Sequence, residues 1–152
     1  MLNKKVTFIG GGNMAEGIIR GMINEKACEN NKIEVYDVVE RRLDYLKDTY
    51  GVQTATDIKA AAAESEMIFI AVRPQDAQGV LEAIRDNKKK EGLIISICAG
   101  ITIENMAEIL GANARIARVM PNVLIDAKHG YSGVCTSQQV TTEDKKDIEA
   151  MF

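Results

Sequence analysis

The stretch Val6-Thr7-Phe8-Ile9-Gly10-Gly11-Gly12-Asn13-Met14-Ala15 decides how the rest of the chain is read. Its first four residues are apolar, β-branched or aromatic, the composition of a short strand. Three glycines end that strand. From Asn13 to about Glu25 the residues Met14, Ile18, Ile19, Met22 and Ile23 then recur at helical spacing. Gly10 to Ala15 fits G-x-G-x-x-[G/A], and each position has a mechanical reason. Gly10 permits the tight turn, Gly12 lets the backbone approach a pyrophosphate, and Ala15 keeps the helix close to the strand. A pyrophosphate would rest on the positive N-terminus of the helix, whose first N–H groups have no internal partner. Gly17 and Gly21 extend a small-residue face suited to close packing against a sheet or a cofactor.

A lone glycine motif is weak, so its surroundings matter. Ile33 to Tyr36 reads as a second strand, and it ends at Asp37, 25 residues beyond Gly12. That is near where a ribose-binding carboxylate is expected in a dinucleotide fold. A methyltransferase-type loop for an adenosyl cofactor is the main rival among nucleotide readings. Asp37 can accept hydrogen bonds from both ribose hydroxyls and repels a 2′-phosphate, whereas Arg41 and Arg42, one turn on, could neutralise that phosphate. NADH is therefore expected to be usable, with NADPH left open as the alternative.

Alternation of short apolar runs with amphipathic stretches continues outward. A charged helix spans about Val39 to Tyr50 with Leu43 and Leu46 inward and Gly51 as its stop. Val52 to Thr54 is a short third strand, and Asp57 caps an Ala-rich helix through Glu64. Met67 to Val72 is apolar throughout, as in a strand covered on both faces. Gln75 to about Lys88 is helical, with Val80, Leu81 and Ile84 inward. Leu93 to Ile97 is a fifth strand, Thr102 caps a helix to Leu110, and Ile116 to Met120 and Tyr131 to Cys135 are the last strands. Thr142 opens a final helix whose apolar positions Ile148, Met151 and Phe152 have no later segment to pack on. The order implies an α/β fold, a doubly wound and mostly parallel Rossmann-like sheet.

Composition bounds the function. The 152 residues suffice for one domain with its own core, or one domain and a stub. A net charge of −3 argues against a nucleic-acid surface, and the run Lys88-Lys89-Lys90 among acids reads as a solvated helix end. Aromatics make up 5% with no Trp, too few for base-stacking platforms. Three well-separated cysteines without CxxC spacing speak against disulfides and zinc, and no apolar run approaches the length of a membrane span. A soluble protein of a reducing, cytoplasmic compartment is expected. His129, the single histidine, reads as a solvated loop residue, and Cys98 as a small buried one rather than a nucleophile.

Three clusters fall at strand C-termini, the edge where open α/β sheets bind ligands: Ala71-Val72-Arg73-Pro74-Gln75, Ser96-Ile97-Cys98-Ala99-Gly100-Ile101 and Arg118-Val119-Met120-Pro121-Asn122. With Ile9 to Ala15 they carry a resemblance to the pyrroline-5-carboxylate reductases, in order and spacing, over nearly the whole chain. The resemblance implies reduction of the C=N bond of 1-pyrroline-5-carboxylate by NADPH or NADH, giving L-proline. It implies a pyrophosphate site at Gly10, Gly11, Gly12, Asn13, Met14 and Ala15, and an adenosine ribose site at Asp37. It puts Ala71, Val72, Arg73 and Pro74 beside the cofactor's ribose and nicotinamide, with Arg73 where the family usually has Lys. It also implies that Ala99, Gly100, Met120, Pro121 and Asn122 line the nicotinamide and imine pocket.

Two stretches depart from the family. Asp37-Val38-Val39 replaces an Asn-Arg-Ser-like run that suits NADPH, and Val123-Leu124-Ile125 replaces Thr-Pro-Ala, leaving substrate fit less defined. The resemblance also implies a helical C-terminal domain that builds a homo-oligomer and completes the substrate site. On that basis residues 1–140 form the dinucleotide-binding unit, and residues 141–152 begin a helix leading toward a domain absent from this chain. Reduction of an iminium needs orientation more than acid–base chemistry, so no catalytic side chain and no metal are expected within it. A non-catalytic NAD(P) sensor and a β-hydroxyacid-dehydrogenase-like enzyme are the alternatives that the residues leave standing.

Overall fold

The structure, a computed structural model, describes residues 1–121 and 132–152. Seven strands form one sheet in the order β3-β2-β1-β4-β5-β6-β7. They are β1 (Val6–Ile9), β2 (Ile33–Tyr36), β3 (Gln53–Ala55), β4 (Met67–Ile70), β5 (Leu93–Ser96), β6 (Arg115–Pro121) and β7 (Ser132–Thr136). All neighbours are parallel except β6 and β7, which pair antiparallel with Pro121 opposite Ser132. The helices are α1 (Asn13–Asn24), α2 (Glu40–Tyr50), α3 (Ile58–Glu64), α4 (Pro74–Arg85), α5 (Ile103–Leu110) and α6 (Thr142–Met151). The expected doubly wound, mostly parallel sheet is the one observed.

Strand residues alternate between two cores, as the two-residue repeat requires. Val6, Phe8, Val35, Phe69 and Ile95 face α1, α2 and α6, while Ile9, Ile68, Ile70, Ile94 and Ile116 face α3, α4 and α5. Phe8 and Phe69 stack across β1 and β4, ring centroids 4.4 Å apart. Because β1 and β4 are neighbours but their following helices lie on opposite faces, the chain leaves a crevice at their C-terminal ends.

Local signals set the helix ends. Gly51 takes a left-handed φ of +69° after α2, and Asp57 accepts the N–H groups of Lys59 and Ala60 before α3. Thr102 and Asn105 form a capping box on α5, Thr141 and Asp144 another on α6.

Several expectations shift. Helix α4 begins at Pro74, whose missing N–H is no loss in a first turn, and it ends at Arg85 rather than Lys88. Val80, read as inward, packs half-buried against the core on that face and also lines the crevice. Helix α6 does not stand unpartnered: Ile148 and Met151 are buried in the α1-side core, and the Phe152 ring lies 6.1 Å from that of Phe69. The existing sheet face had room for it. Among the described residues, no helix is long and apolar enough to cross a membrane.

Candidate functional site

Of the three glycines, Gly10 is required by the protein's own backbone and Gly11 is crowded by side chains. Gly10 adopts φ +106°, and a Cβ on it would lie 2.5 Å from the Ala71 carbonyl oxygen. Its N–H donates to Tyr36 O at 2.8 Å while the Ala71 N–H donates to Ile9 O at 2.9 Å, so the turn is sewn between β2 and β4. A Cβ on Gly11 would meet Leu46 Cδ1 at 2.9 Å and Val35 Cγ1 at 3.1 Å. Gly12 is different. It caps α1 at an ordinary φ of −75° without any side-chain hydrogen bond, and a Cβ there would meet no protein atom within 4 Å. The first N–H groups of α1 therefore open beside the glycines without a side-chain cap. Gly17 and Gly21, expected to permit close packing, also have no atom within 4 Å of a Cβ, so their helix face is not crowded.

Asp37 follows β2. One of its oxygens accepts the Gly11 N–H at 2.8 Å and the other the Val39 N–H at 2.9 Å. Both bonds fix the carboxylate at the crevice wall, and each oxygen keeps lone pairs for a further donor.

Behind the loop sits a group that sequence reading passed over. Glu16 is buried in the first turn of α1 and accepts hydrogen bonds from Tyr45 Oη (2.8 Å), Tyr50 Oη (2.7 Å) and Arg42 Nη2. Burial pushes its carboxyl up. The Tyr50, Tyr45 and Arg42 hydrogen bonds and the Arg42 charge outweigh that and hold it below the usual range. Arg42 also donates through Nε to the Gly11 carbonyl, and its guanidinium lies 5.0 Å from the Tyr45 ring centroid. Arg42, one of the two arginines that could have neutralised a 2′-phosphate, instead engages its Nε and Nη2 on the underside of the loop. Arg41 is exposed and outside the crevice lining. An acid on the apolar arc of α1, between Ala15 and Gly17, was the signal available for Glu16.

The crevice encloses about 750 Å³. Gly10, Gly11 and Gly12 form its floor with Ala71 and Val72, and Asp37, Val38 and Val39 its wall on the β2 side. Arg73 and Asp76 stand on the α4 side, bridged at 3.3 Å and largely exposed. Ile58, Gly79, Val80 and Ala83 close an apolar end that was not foreseen. Gly79 was a legible clue, since glycine inside a helix costs about 1 kcal/mol relative to alanine. Apolar walls, an uncapped helix N-terminus and a fixed carboxylate match the parts of a dinucleotide: base, pyrophosphate and ribose.

The remaining predicted residues separate. Asn13 and Met14 are exposed on the first turn of α1, and Ala15 is buried as packing. Pro74 starts α4. Ala99, Gly100 and Met120 follow or end β5 and β6, on the same sheet edge but outside the crevice lining. Pro121 ends β6, while Asn122, with Val123, Leu124, Ile125 and His129, lies outside the described residues. Cys98 is buried, and its thiol donates to the Val72 carbonyl at 3.0 Å. Burial pushes that thiol up, against the opposing effect of its hydrogen bonds with Ser96 and the Val72 backbone, which makes it a weak nucleophile and a tie between β5 and the crevice wall. Among the described residues no group of three or more His, Cys, Asp or Glu could hold a metal.

Known proteins agree with this geometry. Over 151 residues, 99% of this chain, the sequence is 33% identical to pyrroline-5-carboxylate reductase of Escherichia coli, of which it covers 56%. A pyrroline-5-carboxylate reductase structure from Coxiella burnetii superposes with a TM-score of 0.93 at 31% identity, over 99% of this chain and 56% of that one. The Plasmodium falciparum pyrroline carboxylate reductase, solved with NADP bound, gives 0.89 at 26% identity over 100% and 55%. The chain thus spans about half the length of the relatives it matches. Residues 5–100, which contain the whole crevice, match the model of the family described as NADP oxidoreductase, coenzyme F420-dependent. That match takes in well over half of the sequence, and the chain belongs to this family.

Proposed function

We propose that this chain is the cofactor-binding part of a pyrroline-5-carboxylate reductase, an enzyme that reduces the imine of 1-pyrroline-5-carboxylate to L-proline. The observation carrying it is the crevice built on Gly10, Gly11 and Gly12 beside Asp37, in a chain similar over nearly all of its length to such reductases. A bound NADPH or NADH supplies a hydride from its nicotinamide. The chain's own residues do the rest. The free N–H groups at the start of α1 hold the pyrophosphate over Gly12, with Asn13, Met14 and Ala15 completing that turn. Asp37 orients the ribose, and Val38, Ile58 and Val80 exclude water from the base. Ala71, Val72, Arg73 and Pro74 guide the other half of the cofactor along the ends of β4 and α4, toward Ala99 and Gly100.

Met120, Pro121 and Asn122 belong in this reading to the substrate side. Residues 1–140 act as the cofactor unit, and residues 141–152 lead toward a helical part that forms the oligomer and completes the substrate pocket. Because an iminium is already electrophilic, proximity and orientation supply most of what the reaction needs, without a nucleophile or metal from this chain. Its place in the cell on this reading is the cytoplasm.

The test is oxidation of NADH or NADPH by the product of the parent reading frame. Turnover with 1-pyrroline-5-carboxylate and none with 2- or 3-hydroxyacids in the reverse direction is the expected result. The opposite selectivity, or binding of dinucleotide without turnover of either substrate, would overturn it.

A further inference from the structure

We infer that this chain binds NADH in preference to NADPH, with Asp37 as the group that discriminates and Arg42 held out of reach behind the glycine loop. The inference rests on the dinucleotide reading above and departs from the family's description as NADP oxidoreductases.

Three observations carry it. The first is the carboxylate at the end of β2. Asp37 lines the crevice and cannot swing away from it cheaply, because its oxygens hold the Gly11 and Val39 N–H groups at 2.8 and 2.9 Å. A carboxylate so placed accepts the 2′-hydroxyl of a ribose as a donor. Toward a 2′-phosphate it offers only like charge and acceptor against acceptor.

The second observation concerns the arginine that might have offset this. Two arginines follow β2: Arg41 is exposed and outside the crevice lining, and Arg42 donates through Nε to the Gly11 carbonyl and through Nη2 to Glu16. Freeing it would leave Glu16 buried with its charge unpaired, which is costly for a carboxylate. Tyr45 and Tyr50 hold Glu16 in place from the same side. The acid–arginine pair thus supports the loop and removes the cation from the crevice in a single arrangement.

The third observation is the charge that remains. Among the crevice residues, Asp37 and Asp76 are acidic and only Arg73 is basic, and Arg73 already pairs with Asp76 at 3.3 Å. A 2′-phosphate would add negative charge to a wall that is itself net acidic.

Calorimetric titration of the 152-residue chain with NADH and, separately, NADPH measures the claim without any turnover. NADH is expected to bind at least about tenfold more tightly than NADPH. Asp37→Asn, which removes the charge and keeps an acceptor for the loop, is expected to close most of that gap by raising NADPH affinity. Arg42→Met is expected to weaken both cofactors alike, leaving their ratio unchanged, and this ratio is insulated from any general loosening of the loop. NADPH binding as tightly as NADH overturns the inference alone, as does a selective loss of NADPH in Arg42→Met. Binding of neither cofactor overturns the dinucleotide reading and the inference with it.

Discussion

At the scale of single residues, the glycine loop separates what the fold needs from what a ligand needs. Gly10→Ala forces a left-handed backbone on alanine and drives a methyl into the Ala71 carbonyl, so a loss of about 3 kcal/mol or more is expected in urea unfolding. Gly12→Ala should cost no more than about 1 kcal/mol as a poorer helix cap, while weakening dinucleotide binding about tenfold or more. Equal effects of the two changes on stability would contradict that division. The Glu16 cluster makes a pH prediction. A carboxyl held low in the folded state stabilises above its unfolded value, and that stabilisation is lost as the pH falls through the folded one. Glu16→Gln should therefore cost most near neutral pH and converge on the parent in acid, as followed by urea midpoints across a pH series. Tyr50 behaves oppositely. Burial and the Glu16 carboxylate push it up to about 12 from an ordinary 10, so its contribution is complete below about 10 and fades as the pH climbs toward 12. Tyr50→Phe should flatten this alkaline limb, and an unchanged limb would show that Tyr50 is not its source.

Secondary elements were the most legible level, and the reasons are local. Strands covered on both faces, such as Met67–Ile70 and Leu93–Ser96, announce themselves as unbroken apolar runs. Caps such as Asp57 and Thr102 carry their own hydrogen-bonding logic in the side chain. What eluded sequence reading was where the last helix goes, because the surface that receives α6 is assembled from residues far away in the chain. Lys4 reaches Asp147 at 2.6 Å across that contact, and Ile148 and Met151 sink into the core shared with α1. Ile148→Ala is accordingly expected to cost about 2–5 kcal/mol, as a buried large-to-small change does. A change within experimental error would mean that α6 is not docked in solution.

For the whole molecule, the candidate site was half legible. Gly10 to Gly12, Asp37 and the Ala71–Arg73 segment could be named because strand ends on one edge of a parallel sheet converge whatever the intervening loops do. Ile58 and Ala83 could not, and Glu16 and Gly79 gave only a local oddity, since their roles depend on helix rotation and on which helix lies over which strand. Ligand linkage tests the site as a unit. NADH at about a hundredfold over its dissociation constant should add about 2.7 kcal/mol, raising the melting temperature by roughly 5–10 °C, and Gly12→Ala should blunt this shift at the same concentration. One consequence of the strand order extends further. Among the described residues, those lining the crevice all lie between Gly10 and Ala83, and none comes from β5, β6, β7, α5 or α6. Electron-carrier preference and whatever the other sheet edge presents are thus written in separate, consecutive lengths of chain. A hybrid joined in the turn after α4 should inherit its redox partner from the upstream parent and everything else from the downstream one.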